Sequence, residues 1–419
     1  MKSEAKPGDY VEIHLGKVIY EGILLESPED EKGIVLLKLD SGYNLGFNKK
    51  DLFEIKLIEK AKAKEQKVEI KKSSDKPSIA MIITGGTIVN RLDSRTGAVA
   101  PLTSPEDFFK FYPEIFERVN VAKIALPFMK ASEDMNFKDW QKIAKITGEF
   151  LNDSNIKGVI ITHGTDTLHY TSAALSFFLG RVNKPVVLTY SQRSSDRASS
   201  DANLNLKCAA LAAISDIAEV ILIGHATSND DFCYAMPGTK VRKLHASRRD
   251  AFKVVNSKPI AKIFPDRIEI LREHKTRGNG KVQVDAKFSD KVALIKFYPG
   301  QDSDILDYYV KKGYKGLVIE FLGLGHVSVN GKDNWCKKIK QISKKVAICA
   351  AAQTIYGRLD PLVYSNEREL LGAGVIYLED MLSETAFVKL GWVLAHSGWN
   401  VKEKMLENMH GELNERLEE

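Results

Sequence analysis

Thr84-Gly85-Gly86-Thr87 follows the run Ser78-Ile79-Ala80-Met81-Ile82-Ile83, and His163-Gly164-Thr165-Asp166-Thr167 follows Val159-Ile160-Ile161. Both runs have the content of short buried strands, so two threonine-bearing loops leave strand carboxyl ends. Open parallel α/β sheets place their chemistry at those ends. A hydroxyl backed by glycines, meeting a second hydroxyl and a carboxylate, is the equipment for acyl transfer through a covalent ester. Each loop alone has a plainer reading. The first is a β-turn before a helix; the second is a helix start at which Thr165 or Asp166 holds free N–H groups. Their occurrence together at one end of one sheet favours the chemical reading.

Working outward, strand-like runs alternate with helical patterns from Ser78 onward, which predicts βαβ units and a parallel sheet. Strands are expected over 78–83, 121–125, 157–162, 185–189 and 219–224. A helix is expected to open at Ser104, where Ser104-Pro105-Glu106-Asp107 supplies a cap, a first-turn proline and early carboxylates. Another should run from Thr167 through Leu179, with Gly180 ending it. The polar stretch from Arg272 to Asp290 contains Arg277-Gly278-Asn279-Gly280, which predicts a hairpin turn between domains. Beyond it, strands are expected over 292–297, 316–320, 346–350 and 373–377.

The first residues read differently. Alternating runs at 9–13, 20–25 and 33–39 predict a small β-barrel over residues 1–58, with a tight turn in which Gly42 takes positive φ. Residues 59–77 turn rich in Lys, Glu and Ala and read as a solvated linker. The expected architecture is α/β: a two-domain α/β chain with parallel sheets, preceded by the small β-barrel. An active-site domain would span 78–275, a connecting segment 276–290 and a smaller α/β domain 291–419.

With 419 residues, 44% apolar and 28% charged, the chain has the composition of a globular protein with several cores. A net charge of +6 permits a nucleic-acid contact without predicting one. Cys208, Cys233, Cys336 and Cys349 lack metal-ligand spacing, so reduced thiols, no metal site and a cytoplasmic setting are expected. No run of apolar residues is long enough to span a membrane.

A threonine hydroxyl is a poor nucleophile near neutral pH and needs a proton acceptor. A lysine amine held by an ionised aspartate can take that proton through a second hydroxyl, and Thr239-Lys240-Val241-Arg242-Lys243-Leu244-His245 offers such lysines. The plainer reading of this stretch is a solvated basic helix face. His163 and His245 are formal candidates for general bases, but their surroundings set up no Ser-His-Asp order.

Taken together, Thr84-Gly85-Gly86-Thr87-Ile88, His163-Gly164-Thr165-Asp166-Thr167 and Lys243 with Asp250-Ala251-Phe252 resemble the bacterial-type L-asparaginase/glutaminase family. The resemblance covers roughly 78–400 and includes Tyr356-Gly357-Arg358 and the run from Glu379 to Leu390. It implies an asparaginase-like fold, Thr87 as nucleophile, and Thr165, Asp166 and Lys243 as the proton relay. It further implies substrate contacts from Gly86, Gly164 and Ser132-Glu133, the start of Ser132-Glu133-Asp134-Met135. One departure is plain: asparaginases carry a Tyr in the loop after the first glycine motif, and residues 90–100 contain none.

Pro7-Gly8-Asp9-Tyr10-Val11, Tyr20-Glu21-Gly22-Ile23 and the segment 38–46 are similar to the leading domain of the glutaminase subunits of archaeal tRNA-dependent amidotransferases. That similarity implies glutamine as substrate and ammonia passed to a partner, the E-type kinase/transamidase chain of the amidotransferase. The partner would use ATP and magnesium and hold most of tRNA(Gln), around a homodimeric core within a heterotetramer. This chain would bind no cofactor of its own. Two rivals remain: a free type I asparaginase/glutaminase with an accessory domain, and a non-catalytic RNA-binding or assembly protein on an enzyme fold.

Overall fold

A computed structural model describes residues 5–26, 33–41, 43–60, 75–92, 99–101, 112–194, 197 and 199–416. The expected helix at Ser104, the turn at Gly42 and most of the linker lie outside the described residues.

The N-terminal unit is a five-stranded antiparallel sheet of β1 (Tyr10–Leu15), β2 (Val18–Leu25), β3 (Ile34–Lys38), β4 (Asn44–Asn48) and β5 (Glu54–Glu59), ordered β4-β3-β2-β1-β5. Alternation sends Val11, Ile13, Leu24, Val35 and Leu37 to one face, where they form a small core with Leu52.

The large sheet starts with β6 (Ser78–Ile83), from which the chain runs through the hairpin β7 (Asn90–Leu92) and β8 (Val99–Pro101) to β9 (Asn120–Ala125). After helix α1 (Phe137–Leu151) come β10 (Val159–Thr162), α2 (Leu168–Leu179), β11 (Val186–Thr189), α3 (Ala202–Ile214) and β12 (Val220–His225). β9, β6, β10, β11 and β12 lie side by side and are parallel. Sequence reading anticipated these five strands to within a few residues.

The sheet does not stop there. β13 (Cys233–Pro237), β16 (Ala261–Ile263) and β17 (Ile268–Ile270) extend it antiparallel, while β14 (Val241–Lys243) and β15 (Phe252–Val254) form a separate hairpin. The segment carrying Lys243 is therefore a short strand and not a basic helix face.

Side-chain alternation splits the parallel strands between two cores. Ile79, Met81 and Ile83 pack with Ile160, Val187, Ile221 and the alanines of α3 on one face. Ala80, Ile82, Val159, Ile161 and Leu188 pack with α1 and α2 on the other. The latter core continues without a break into the C-terminal domain, taking in Val318, Ala351, Val388 and Trp392. Phe177 stacks on Trp392 with centroids 5.7 Å apart. The junction between the domains is thus built like a domain interior.

The C-terminal domain has a parallel sheet of β18 (Val292–Lys296), β19 (Gly316–Phe321), β20 (Ala347–Ala352) and β21 (Val375–Tyr377). Helices α4 (Ile305–Lys311), α5 (Trp335–Ile342), α6 (Ser365–Gly372), α7 (Ser383–Leu394) and α8 (Val401–Leu406) accompany it. Before it, the run 277–280 forms no hairpin. Arg277 instead pins an extended crossing to carbonyls, donating from Nε to Ser215 O (2.6 Å) and from Nη2 to Ala213 O (3.2 Å). A chain already paired with those carbonyls has no need to fold back on itself.

Polar contacts reinforce the junction. Lys240 and Asp380 are buried together, Nζ to Oδ2 at 2.7 Å, and the second carboxylate oxygen accepts the Asn414 N–H at 3.0 Å. Burial holds the Lys240 ammonium below its ordinary pKa, and Asp380 opposes that shift. No helix among the described residues is long and apolar enough to cross a membrane. Lys240→Met is expected to lower unfolding free energy by about 3–5 kcal/mol, because it strands a buried carboxylate. Adding Asp380→Leu should recover most of the loss. Denaturant titration checks this, and an equal cost for single and double variants would contradict it.

Candidate active site

The order β9-β6-β10 makes β6 a switch point. The chain leaves β6 toward β9 on one side, and β10 later returns on the other. At such a point loops diverge and leave a crevice beyond the strand carboxyl ends. Loops following β6, β9 and β10 line a cleft of about 310 Å³ here, bounded by Gly85, Gly86, Thr87, Met129–Glu133 and Gly164–Asp166.

The loops meet through missing side chains. Gly85 and Gly86 take φ of +122° and +86°, which L side chains rarely adopt. A Cβ on Gly86 would lie 2.5 Å from Gly164 N, and one on Gly164 would lie 2.9 Å from the Ser132 side chain. Thr84 ties the loop after β6 to the end of β10 deeper down, its hydroxyl donating to Thr162 O at 2.8 Å. Thr87 then opens a single 3₁₀ turn whose next residues, Ile88 and Val89, are sunk in the core. With those two anchored, Thr87 faces the cleft, half-buried.

Thr165 and Asp166 precede α2 but do not cap it; no side chain caps that helix at Thr167. They turn to Lys243, whose Nζ donates to Thr165 Oγ1 at 2.8 Å and to Asp166 Oδ1 at 2.9 Å. The Lys243 side chain is only 12% exposed while that of Asp166 is 62% exposed, so the amine forms the inner end of the trio. Separate elements bring these groups together across 77 residues of sequence.

Ser132 and Glu133 sit on a 3₁₀ turn, Ser132–Asp134. Ser132 is buried, accepts the Asp166 N–H at Oγ (3.1 Å), and its carbonyl accepts the Thr167 hydroxyl at 2.6 Å. It therefore holds the second loop as well as lining the cleft. Glu133 is exposed at the rim. Sequence reading passed over Met129, Lys130 and Ala131, which also line the cleft. Lys130 is tethered by Nζ to Asp139 Oδ1 at 2.8 Å, and its position two residues before Ser132 was the available signal. The loop after Thr87 begins as the β7–β8 hairpin, but residues 93–98 lie outside the described residues.

Neither histidine candidate joins the trio as a base. His163 is fully buried, with Nδ1 against Gly164 O at 2.7 Å and Nε2 against the Thr171 hydroxyl at 2.9 Å. Burial pushes its pKa down to about 4, so it is a neutral strut. His245 is exposed and accepts the Ser247 and Arg248 N–H groups at Nδ1. No group of three or more His, Cys, Asp or Glu side chains among the described residues could hold a metal ion.

Comparison with known proteins agrees with this construction at family level. Residues 78–276 match the asparaginase N-terminal family, 291–405 the glutaminase/asparaginase C-terminal domain, and 5–58 the GatD N-terminal domain. The D-type subunit of the glutamyl-tRNA(Gln) amidotransferase of Pyrococcus furiosus is 49% identical over 419 residues, spanning 97% of this chain and 94% of that protein. Its counterpart of the same name in Methanothermobacter thermautotrophicus is 41% identical, spanning 98% and 94%. Among solved structures, the thermostable L-asparaginase of Thermococcus kodakarensis superposes with a TM-score of 0.72 at 28% identity, covering 81% of this chain and 100% of that one. L-asparaginase I of Vibrio cholerae gives 0.67 at 27%, covering 81% and 99%.

The neutral histidines give a pH test. His169, buried beside the trio, is pushed to about 3 by burial and by the charges of Arg242 and Lys243. Unfolded imidazoles titrate near 6.5. A folded pKa below that value means the unfolded chain binds more protons as pH falls. The stability that each neutral histidine contributes is thus complete above about pH 6.5 and lost toward pH 4, at up to about 1.4 kcal/mol per pH unit. Unfolding free energy measured across that window should fall less steeply in His163→Gln than in the unsubstituted chain. Identical slopes would mean that His163 is charged in the fold.

Proposed function

Because the chain belongs to the GatD family, the D-type subunits of glutamyl-tRNA(Gln) amidotransferases, we propose that it is the glutamine-hydrolysing member of such an assembly, with Thr87 as nucleophile. The observation that carries the reading is that Thr165 and Asp166, both bonded by the Lys243 amine, line one cleft with Thr87.

Thr87 Oγ attacks the side-chain amide carbon of glutamine and gives its proton, by way of the Thr165 hydroxyl, to Lys243 as the free amine. In that state the Thr165–Lys243 bond runs from hydroxyl to amine. Asp166 keeps the amine in place. Backbone N–H groups of the glycine-bearing loops supply the donors that the developing oxyanion needs. The relay returns a proton to the leaving nitrogen, ammonia departs, and a glutamyl ester remains on Thr87. Water, deprotonated by the same relay, hydrolyses the ester and frees glutamate and the threonine. Ser132 and Glu133, with the Gly86 and Gly164 backbones, hold the α-amino and α-carboxylate groups.

Ammonia then passes to the partner, the E-type kinase/transamidase chain of the amidotransferase, which activates glutamate on misacylated tRNA(Gln) with ATP and magnesium. Two copies of each chain make the assembly, and the setting is cytoplasmic. The N-terminal domain at 5–58 favours this role over a free asparaginase, since the two asparaginases compared leave about a fifth of the chain unmatched. The relay residue types favour an enzyme over a non-catalytic RNA-binding or assembly protein.

Thr87→Ala should abolish glutamine-dependent amidation of Glu-tRNA(Gln), by roughly 10³-fold or more, yet spare amidation supplied with ammonium salt. Reconstitution with the partner and misacylated tRNA gives both rates. Equal loss with both nitrogen sources would place Thr87 in folding or assembly.

A further inference from the structure

The strand that presents Lys243 is held by the other domain. Thr385 donates its hydroxyl to Thr239 O at 2.8 Å, Lys240 pairs with Asp380, and Arg242 Nε meets Glu384 Oε1 at 2.9 Å. Residues 239–242 are thus fastened to 380–385, and Lys243 is the next residue along. Glu384 lies in the first turn of α7, buried, with Ser383 beside it donating to the equally buried Glu320 at 2.7 Å. His169 is wedged in the same place, its Nε2 3.8 Å from Glu384 and its Nδ1 without a hydrogen-bond partner among the described residues.

We propose that Glu384 is a positioning residue for Lys243: its carboxylate fixes Arg242, and with it the strand end, and balances the guanidinium charge beside the relay. The inference rests on Lys243 being the proton relay of the glutaminase reading. The charged and titratable groups packed around this site are Asp166 from the loop before α2, His169 and Tyr170 from α2, Arg242 from β14, Glu320 from β19 and Glu384 from α7. His169 stays neutral, so the charge next to Lys243 on this side is set by Arg242 and Glu384. A positive charge left unopposed there discourages a second one on the amine. A negative charge left unopposed encourages it. At an effective dielectric constant of about 20, a unit charge about 12 Å away changes a proton equilibrium by about one pH unit.

The test is the rate–pH profile of ammonia release from glutamine by the full chain with any partner that co-purifies. Glu384→Gln should move the acidic limb of kcat about one pH unit lower, and Arg242→Gln should move it higher by a similar amount. The double variant should return the limb close to that of the unsubstituted protein, and Glu384→Asp, which keeps the charge, should leave it in place. A purely structural role lowers the amplitude of both single variants without moving either limb, or moves both the same way, and either result would overturn the proposal. If one single variant does not fold, the other still decides it, since the proposal moves its limb in a stated direction and a purely structural role leaves that limb in place. Failure of the unsubstituted protein to release ammonia at all would instead count against the glutaminase reading, and the proposal would fall with it.

Discussion

The approach of Gly86 to the backbone of Gly164, and of Gly164 to Ser132, is the constraint on which the site depends. A single methyl group at either glycine would fall inside van der Waals contact with its neighbour. Main chains that touch without side chains between them bring the backbones of Gly86 and Gly164 to the wall of the cleft. The same contact fixes the spacing between the loop of Thr87 and the loop of Thr165 and Asp166. Thr84, reaching across to Thr162 O, sets the height of the two loops above the sheet. The strand order supplies the opening, and the glycines supply the fit.

The second requirement is a lysine delivered from elsewhere in the chain. β14 is three residues long, too short to hold its own position, and its hairpin partner β15 is equally short. Rigidity comes from the C-terminal domain through the ion pairs of Lys240 and Arg242 and the hydroxyl of Thr385. The apolar core that runs between the domains lets this junction behave as an interior. The proposed relay lysine on the first domain thus takes its precision from the second. Disturbance of 380–385 should reach the chemistry without touching the cleft.

Much of this was legible in the sequence where a physical signal was local. Four of the five parallel strands read clearly because Ile79–Ile83, Val159–Ile161 and their counterparts in β11 and β12 are buried on both faces and so continuously apolar, whereas β9 lies at the sheet edge and is largely exposed. The two loops read clearly because glycine and threonine at strand ends carry meaning in themselves. Lys243 did not: its neighbours Arg242, His245 and Arg248 look like a solvated basic face, and only the ion pair with Glu384, 142 residues away, shows why Arg242 is there. The antiparallel strands went unseen because β16 and β17 are three residues each, too short for alternation to show, and β13 follows the largely polar run 226–232, which reads as a loop. Arg277-Gly278-Asn279-Gly280 looked like a turn, since nothing nearby revealed that Arg277 is occupied by carbonyls at the distant C-terminal end of α3. Resemblance to a known family singled out Lys243 where composition and spacing favoured the plainer reading.

The central claim is that Thr87 carries the acyl group between ammonia release and hydrolysis. Mixing the protein with glutamine, quenching in acid within the first turnovers and mapping peptides by mass spectrometry tests it most directly. The account predicts one glutamyl increment on the peptide containing Thr87, sensitive to base as an ester is and absent from Thr87→Ala. A glutamyl group on any other residue, or ammonia release with no acylated peptide under conditions in which the ester should accumulate, would contradict it.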